Sequence, residues 1–143
     1  MTTITLAEAT TIVDAALARG RATDSAPLTV AVTDAGGHLV AFKREDGSGI
    51  LRFDIAYGKA WGSLGMGFGS REMARRASTS PQFLTALAAA SGGRVVPSPG
   101  GVIVLRDGVV VGAVGISGDS GDRDEECALA GIAAAGLEGR PGA

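Results

Sequence analysis

The sequence predicts an α+β domain: a single α/β/α sandwich with a mostly antiparallel, five-stranded sheet and helices on both faces. Three observations carry this. Asp107-Gly108 sits between two β-branched runs, the pattern of a tight hairpin whose central residues need positive φ. The apolar runs Leu28–Thr33 and His38–Lys43 are joined by a connection too short for anything but antiparallel pairing. Stretches of helical periodicity precede, separate and follow these strands. The 143 residues show neither repeat nor linker and suffice for one domain with its own core.

Thr5-Leu6-Ala7-Glu8 matches a capping box, with Thr5 as N-cap. Leu6, Ala9, Val13, Ala16 and Leu17 then recur at helical spacing, and Gly20 lies near the predicted end. Ala26-Pro27 breaks the chain. Leu28–Thr33 is a strand, Asp34-Ala35-Gly36-Gly37 a turn, and His38–Lys43 the returning strand. After Asp46-Gly47-Ser48-Gly49, the spacing predicts a helix from Ile50 to Met66, with Ile50, Phe53, Tyr57, Ala60 and Leu64 on one face. Gly58, Gly62 and Gly65 form a second stripe. Each glycine costs a helix about 1 kcal/mol relative to alanine, so the stripe implies close approach by something, a neighbouring strand or helix in the first place and a ligand in the second.

Ser70–Arg76 reads as one or two helical turns. Ser80-Pro81 opens a further helix, proline being suited to a first helical position. Phe83, Leu84, Leu87 and Ala88 form its expected buried face, and Gly92-Gly93 ends it. Val95-Val96 and Val102–Leu105 read as strand, interrupted by Pro97 and Pro99. Val109–Ile116 is a near-continuous apolar run, the mark of a strand buried on both faces. A last helix is expected from about Asp122 to Leu137, then a frayed tail.

Composition removes several function classes. Thirteen basic residues against fifteen acidic give a formal net charge of −2, with no basic stripe for nucleic acid. No apolar run is long enough to span a bilayer. A single cysteine excludes an internal disulfide and a cysteine-based zinc site. The N-terminus has no signal-peptide pattern, so the expectation is a cytoplasmic protein. Glycine is frequent, 23 residues, which suggests closely packed backbones.

Four segments carry a resemblance: Val30–Phe42, Asp54–Ala60, Gly93–Val102, and Gly108–Gly118 with Asp124 and the Ala128-Leu129-Ala130-Gly131 helix behind it. In this order, over almost the whole chain, they resemble the GlcG/HbpS-like family, also called DUF336. The resemblance implies the α/β/α sandwich, assembly into dimers and larger rings, and a pocket near subunit contacts. Some members bind haem; others accompany diol- or glycolate-utilising enzymes. Haem or another tetrapyrrole is therefore the expected ligand, bound by a homo-oligomer. Two other readings stand beside it: a cofactor-independent isomerase, lyase or hydrolase acting on a small polar metabolite, and a structural accessory subunit.

The candidate site residues follow. His38, the only histidine, is suited to ligate haem iron or to move protons near neutral pH, or else caps its turn. Tyr57, Met66 and Cys127 are the alternative haem ligands, each with packing as its plainer role. No other metal site is expected. Lys59, amid Gly58, Ala60 and Trp61, would have a lowered pKa if partly buried and could then hold a carboxylate or act as a base. Asp54 lies five residues before it, about 140° away around a helix, so the two do not pair. Arg52 could reach an anionic group. Gly100, Gly101 and Gly115 leave backbone open to a ligand, and Ser117 lies in the glycine-rich loop leading to the last helix. The acids around that loop, Asp124 among them, disfavour a free anion. The expectation is that Gly115, Ser117 and Asp124 lie near Lys59, with a ligand carboxylate or carbonyl between the lysine and the backbone donors. Lys59, Asp54 and Asp124 are the catalytic candidates if the protein is an enzyme.

Overall fold

The computed structural model describes residues 3–143. Its elements are α1 (Leu6–Ala22), β1 (Thr29–Asp34), β2 (Leu39–Arg44), α2 (Arg52–Met66), α3 (Ser70–Thr79), α4 (Pro81–Ala90), β3 (Gly101–Arg106), β4 (Val109–Ser117), α5 (Gly121–Ala134) and β5 (Glu138–Arg140). The five strands form one sheet in the order β2-β1-β4-β3-β5, and every pairing is antiparallel.

The local signals act as their chemistry requires. Glu8 N–H donates to Thr5 Oγ1 while Thr5 N–H donates to Glu8 Oε1, which closes the capping box of α1. Asp107 and Gly108 both have positive φ, 50° and 77°, the backbone of a type I′ hairpin turn. In β4 every residue from Val111 to Ser117 is buried, as its unbroken apolar run implies.

Strand alternation gives the sheet two different faces. One carries Val30, Val32, Val102, Val104, Val114 and Ile116, which pack with Ile12, Val13 and Ala16 of α1 and Cys127, Ala128 and Ile132 of α5. This is the main hydrophobic core. On the other face the register aligns Phe42, Ala31, Gly115 and Gly101 in one row across four strands. α2 crosses the three small members of this row, Ala31, Gly115 and Gly101.

That crossing changes the expected orientation of α2. Its buried residues are Ala56, Gly58, Lys59, Ala60, Gly62 and Ser63, not the face through Ile50, Phe53, Tyr57 and Leu64. Ile50 precedes the helix and is 89% exposed. The reason is steric. A methyl on Gly115 would overlap the Ala56 carbonyl, and one on Gly101 would overlap that of Lys59. The helix backbone thus lies where side chains would otherwise stand, and only the small side of α2 fits there. The glycine stripe is split: Gly58 lies against the Arg94 carbonyl and Gly62 against Val95, while Gly65 faces open space.

Four further expectations are corrected. Val95-Val96 is not a strand; it runs as coil across α2. α3 reaches ten residues, helped by Glu72, whose carboxylate binds Arg75 and Arg76. α4 forms, but none of its residues is buried: Phe83 is 49% exposed and Leu84, Leu87 and Ala88 are only half-buried. The final helix stops at Ala134, and part of the expected tail is β5, which pairs with Ile103–Leu105 of β3.

Candidate functional site

The candidate residues separate into two clusters. The first lies in the seam between α2 and the sheet. Lys59 Nζ donates to the Ile116 carbonyl at 2.8 Å and meets Asp124 Oδ2 at 3.2 Å. Asp124 Oδ1 accepts from the Asp119 amide at 3.0 Å. Both side chains are sealed from solvent, Lys59 being 4% exposed and Asp124 1%. Burial pushes the Lys59 pKa down and the Asp124 pKa up, and the attraction between the two opposes both shifts. Desolvation of this kind is tolerated because the charges face each other and their remaining polar atoms are bonded.

Gly100 makes room for this pair. Its φ is +123°, and a methyl there would come within 2.9 Å of Lys59 Nζ. The Gly101 amide donates to Ser70 Oγ at 2.7 Å. Ser117 is buried and accepts from Arg52 Nη1 at 3.1 Å. Gly115, Ser117, Gly100 and Gly101 are thus gathered around Lys59 and Asp124. Within the seam, however, the space beside the glycines is filled by the α2 backbone, and lysine meets aspartate directly. The ligand-bridged arrangement anticipated from the sequence is not the one seen. Asp54 is exposed on the first turn of α2 and is not brought to the pair.

The second cluster lies on the outer side of α2. Phe53, Tyr57 and Trp61 recur every four residues and are all half-buried. Phe53 stacks on Tyr57 with ring centroids 5.8 Å apart, and Phe42 of β2 tilts against Phe53 at 5.1 Å. The Arg94 guanidinium lies 4.0 Å above the Trp61 ring, within cation–π range. Tyr57 Oη donates to the Gly37 carbonyl at 2.7 Å, pinning the β1–β2 turn to this row. That turn carries His38, whose side chain is 82% exposed.

His38 is held by its own turn. Its amide donates to Asp34 Oδ1 at 2.9 Å, and its Nδ1 lies 3.2 Å from the same oxygen. Partial desolvation pushes the Asp34 pKa up, but the His38 and Gly36 amides outweigh it and keep the carboxyl below its ordinary range. A carboxylate on Nδ1 leaves Nε2 free to bind an external partner, the arrangement usual for metal-ligating histidines. Beside Gly36, Gly37, Trp61, Leu64 and Gly65 the surface forms a hollow of about 220 Å³. Sequence reasoning singled out His38 and Tyr57 but not Phe42, Trp61 or Arg94. The i, i+4, i+8 spacing of Phe53, Tyr57 and Trp61 was the available signal for the aromatic row.

The remaining candidates lie apart. Cys127 is buried in the main core, where desolvation first, and then Glu126 and Asp124, push its thiol up to about 11. Met66 ends α2 and lines a small apolar cavity with Leu87 and Val95. Among the described residues no three metal-ligating side chains of His, Cys, Asp or Glu come together, and no helix is long and apolar enough to cross a membrane.

Comparison with known proteins agrees with this architecture. Residues 4–133 match the family model for the haem degrading protein HbpS-like. The chain is 31% identical over 108 residues to the corrinoid adenosyltransferase PduO of Salmonella typhimurium, covering 76% of this chain but 32% of PduO. It therefore spans about a third of that relative. A 15.0 kDa protein from the dhaT-dhaS intergenic region of Citrobacter freundii is 30% identical over 122 residues, covering 85% of this chain and 84% of that one. Among solved structures, a PduOC:heme complex superposes with a TM-score of 0.85 at 27% identity, covering 94% of this chain and 96% of that one. The Klebsiella pneumoniae protein ORFY, a DUF336 structure, gives 0.85 at 27% identity, covering 93% and 90%. A double mutant of Streptomyces reticuli HbpS gives 0.78 at 30% identity, covering 92% and 86%. The chain belongs to the HbpS-like family.

Proposed function

We propose that this HbpS-like protein is an oligomeric haem-binding module and that His38 is its axial ligand. The observation that carries the reading is the setting of that histidine. It is the only one in the chain. Its Nδ1 is engaged by Asp34, its ring is open to solvent, and its turn is tied to a row of half-buried aromatics. An exposed imidazole on a turn whose Gly37 packs against Tyr57 and Trp61 suits a flat, apolar macrocycle with a metal at its centre. The PduOC:heme complex is a relative of the same fold, which supports the choice of ligand. Bound iron would supply the redox or sensing chemistry. The chain's own residues orient the imidazole through Asp34 and would offer the macrocycle an aromatic surface.

Self-association is part of the proposal. The half-covered apolar side of α4, with Phe83 exposed, supports it as a contact surface, and closed symmetry is the usual outcome. A cytoplasmic setting is also proposed, and cell fractionation tests it.

The test is titration of the purified protein with hemin. A saturable Soret band at one haem per chain or per two chains is expected, together with a mass of at least a dimer by light scattering. Uptake that never saturates, or that matches a non-binding control protein, would remove the haem reading.

A further inference from the structure

The edge strand β2 and the first turn of α2 enclose a groove of about 640 Å³ lined by Phe42, Lys43, Arg44 and Phe53. This is within the size range of small-molecule sites. Its apolar part is the tilted pair Phe42 and Phe53, and Phe42 is 48% exposed although it lies in a strand.

The groove also holds an uncommitted cation. Lys43 is turned to the other face of the sheet and bonds Asp14 at 2.7 Å. Arg44 makes no side-chain hydrogen bond or ion pair among the described residues. Arg19, Arg71, Arg75, Arg76 and Arg106, by contrast, all pair with carboxylates. The carboxylate next to Arg44 in sequence, Glu45, is taken by Arg21 at 3.0 Å and by the Leu28 amide at 2.8 Å. Asp46 is exposed and lines the adjoining hollow with Arg44. A free guanidinium beside two phenyl rings favours an anion with a ring attached, because the planar fork grips a carboxylate through two parallel hydrogen bonds.

We propose that this groove binds a flat apolar molecule bearing a carboxylate, its ring against Phe42 and Phe53 and its carboxylate on Arg44. The proposal does not rest on haem ligation by His38. His38 and Arg44 are six residue steps apart along extended chain, about 20 Å at 3.3 Å per residue, so the two residues serve separate ligands.

The probe is 2-naphthoate, followed by amide NMR shifts, with 2-naphthamide as its uncharged counterpart. Saturable shifts are expected at Phe42, Arg44 and Phe53. Naphthamide should bind at least tenfold more weakly, Arg44→Ala should weaken naphthoate at least tenfold, and Arg44→Lys should recover part of the loss. Equal affinity for acid and amide, an Arg44→Ala variant that binds like the parent, or no binding at millimolar naphthoate would overturn the proposal. So would a fall in solution mass on Phe42→Ser, which would identify the groove as a contact between copies. His38→Ala should leave naphthoate binding unchanged, so failure here is separable from failure of the haem reading.

Discussion

The seam beneath α2 and the aromatic edge outside it use one helix in opposite ways. On the inner side, Lys59 and Asp124 are paired, desolvated and walled in by glycine backbone. On the outer side, Tyr57 ties down a turn whose histidine stands in solvent. The more unusual chemistry, a buried lysine on a buried aspartate, belongs to the inner side. Because those charges satisfy each other, the difference teaches that a perturbed, glycine-ringed pair can be a structural fastening. Here it joins α2 to the start of α5 and to the end of β4. The groups left open to solvent are on the plainer side.

Breaking the fastening should have the largest effect. Asp124→Ala leaves a buried lysine without its partner and should cost about 3–5 kcal/mol, measured by urea unfolding. Pairing Lys59→Met with Asp124→Leu should restore much of that loss. If Asp124→Ala were neutral, the seam would not be a fastening. Gly115→Ala comes next, since its methyl meets the Ala56 carbonyl; forcing α2 off the sheet should cost about 1–3 kcal/mol.

Acid should loosen a neighbouring element in a predictable window. Arg75 and Arg76 hold Glu72 down to about 2, from an ordinary value of 4.5. The folded-state pKa is depressed, so the stabilisation is complete above pH 4.5 and is lost as the pH falls toward 2. Glu72→Gln should flatten that limb of the stability–pH curve. The smallest effect is a silence. With its thiol raised to about 11 and buried, Cys127 should stay unreactive toward a disulfide reagent at pH 8 until the protein is unfolded.

The sequence-based reading succeeded where local rules decide. The Thr5–Glu8 box and the Asp107-Gly108 turn are fixed by side-chain and backbone chemistry within four residues. The gathering of Gly115, Ser117 and Asp124 near Lys59 was also legible, since small, polar-tipped elements pack together. Their closure was not. Whether a glycine leaves room for a ligand or for a helix depends on what crosses it, and Ala56 is 59 positions away from Gly115. The same distance problem hid the orientation of α2 and the β5 strand, whose Glu138-Gly139-Arg140 sequence has no strand propensity and is held by pairing with β3. α4 misled differently: its apolar spacing is real, but within the chain its apolar side is only half-buried.

The central claim is that stability and ligand binding lie on opposite sides of α2. The direct measurement is a paired one, hemin titration and urea unfolding on His38→Ala and on the parent protein. The account predicts that His38→Ala loses or shifts the Soret band while its unfolding free energy stays within about 0.5 kcal/mol of the parent, as for a surface substitution. An unchanged Soret band in His38→Ala would contradict it.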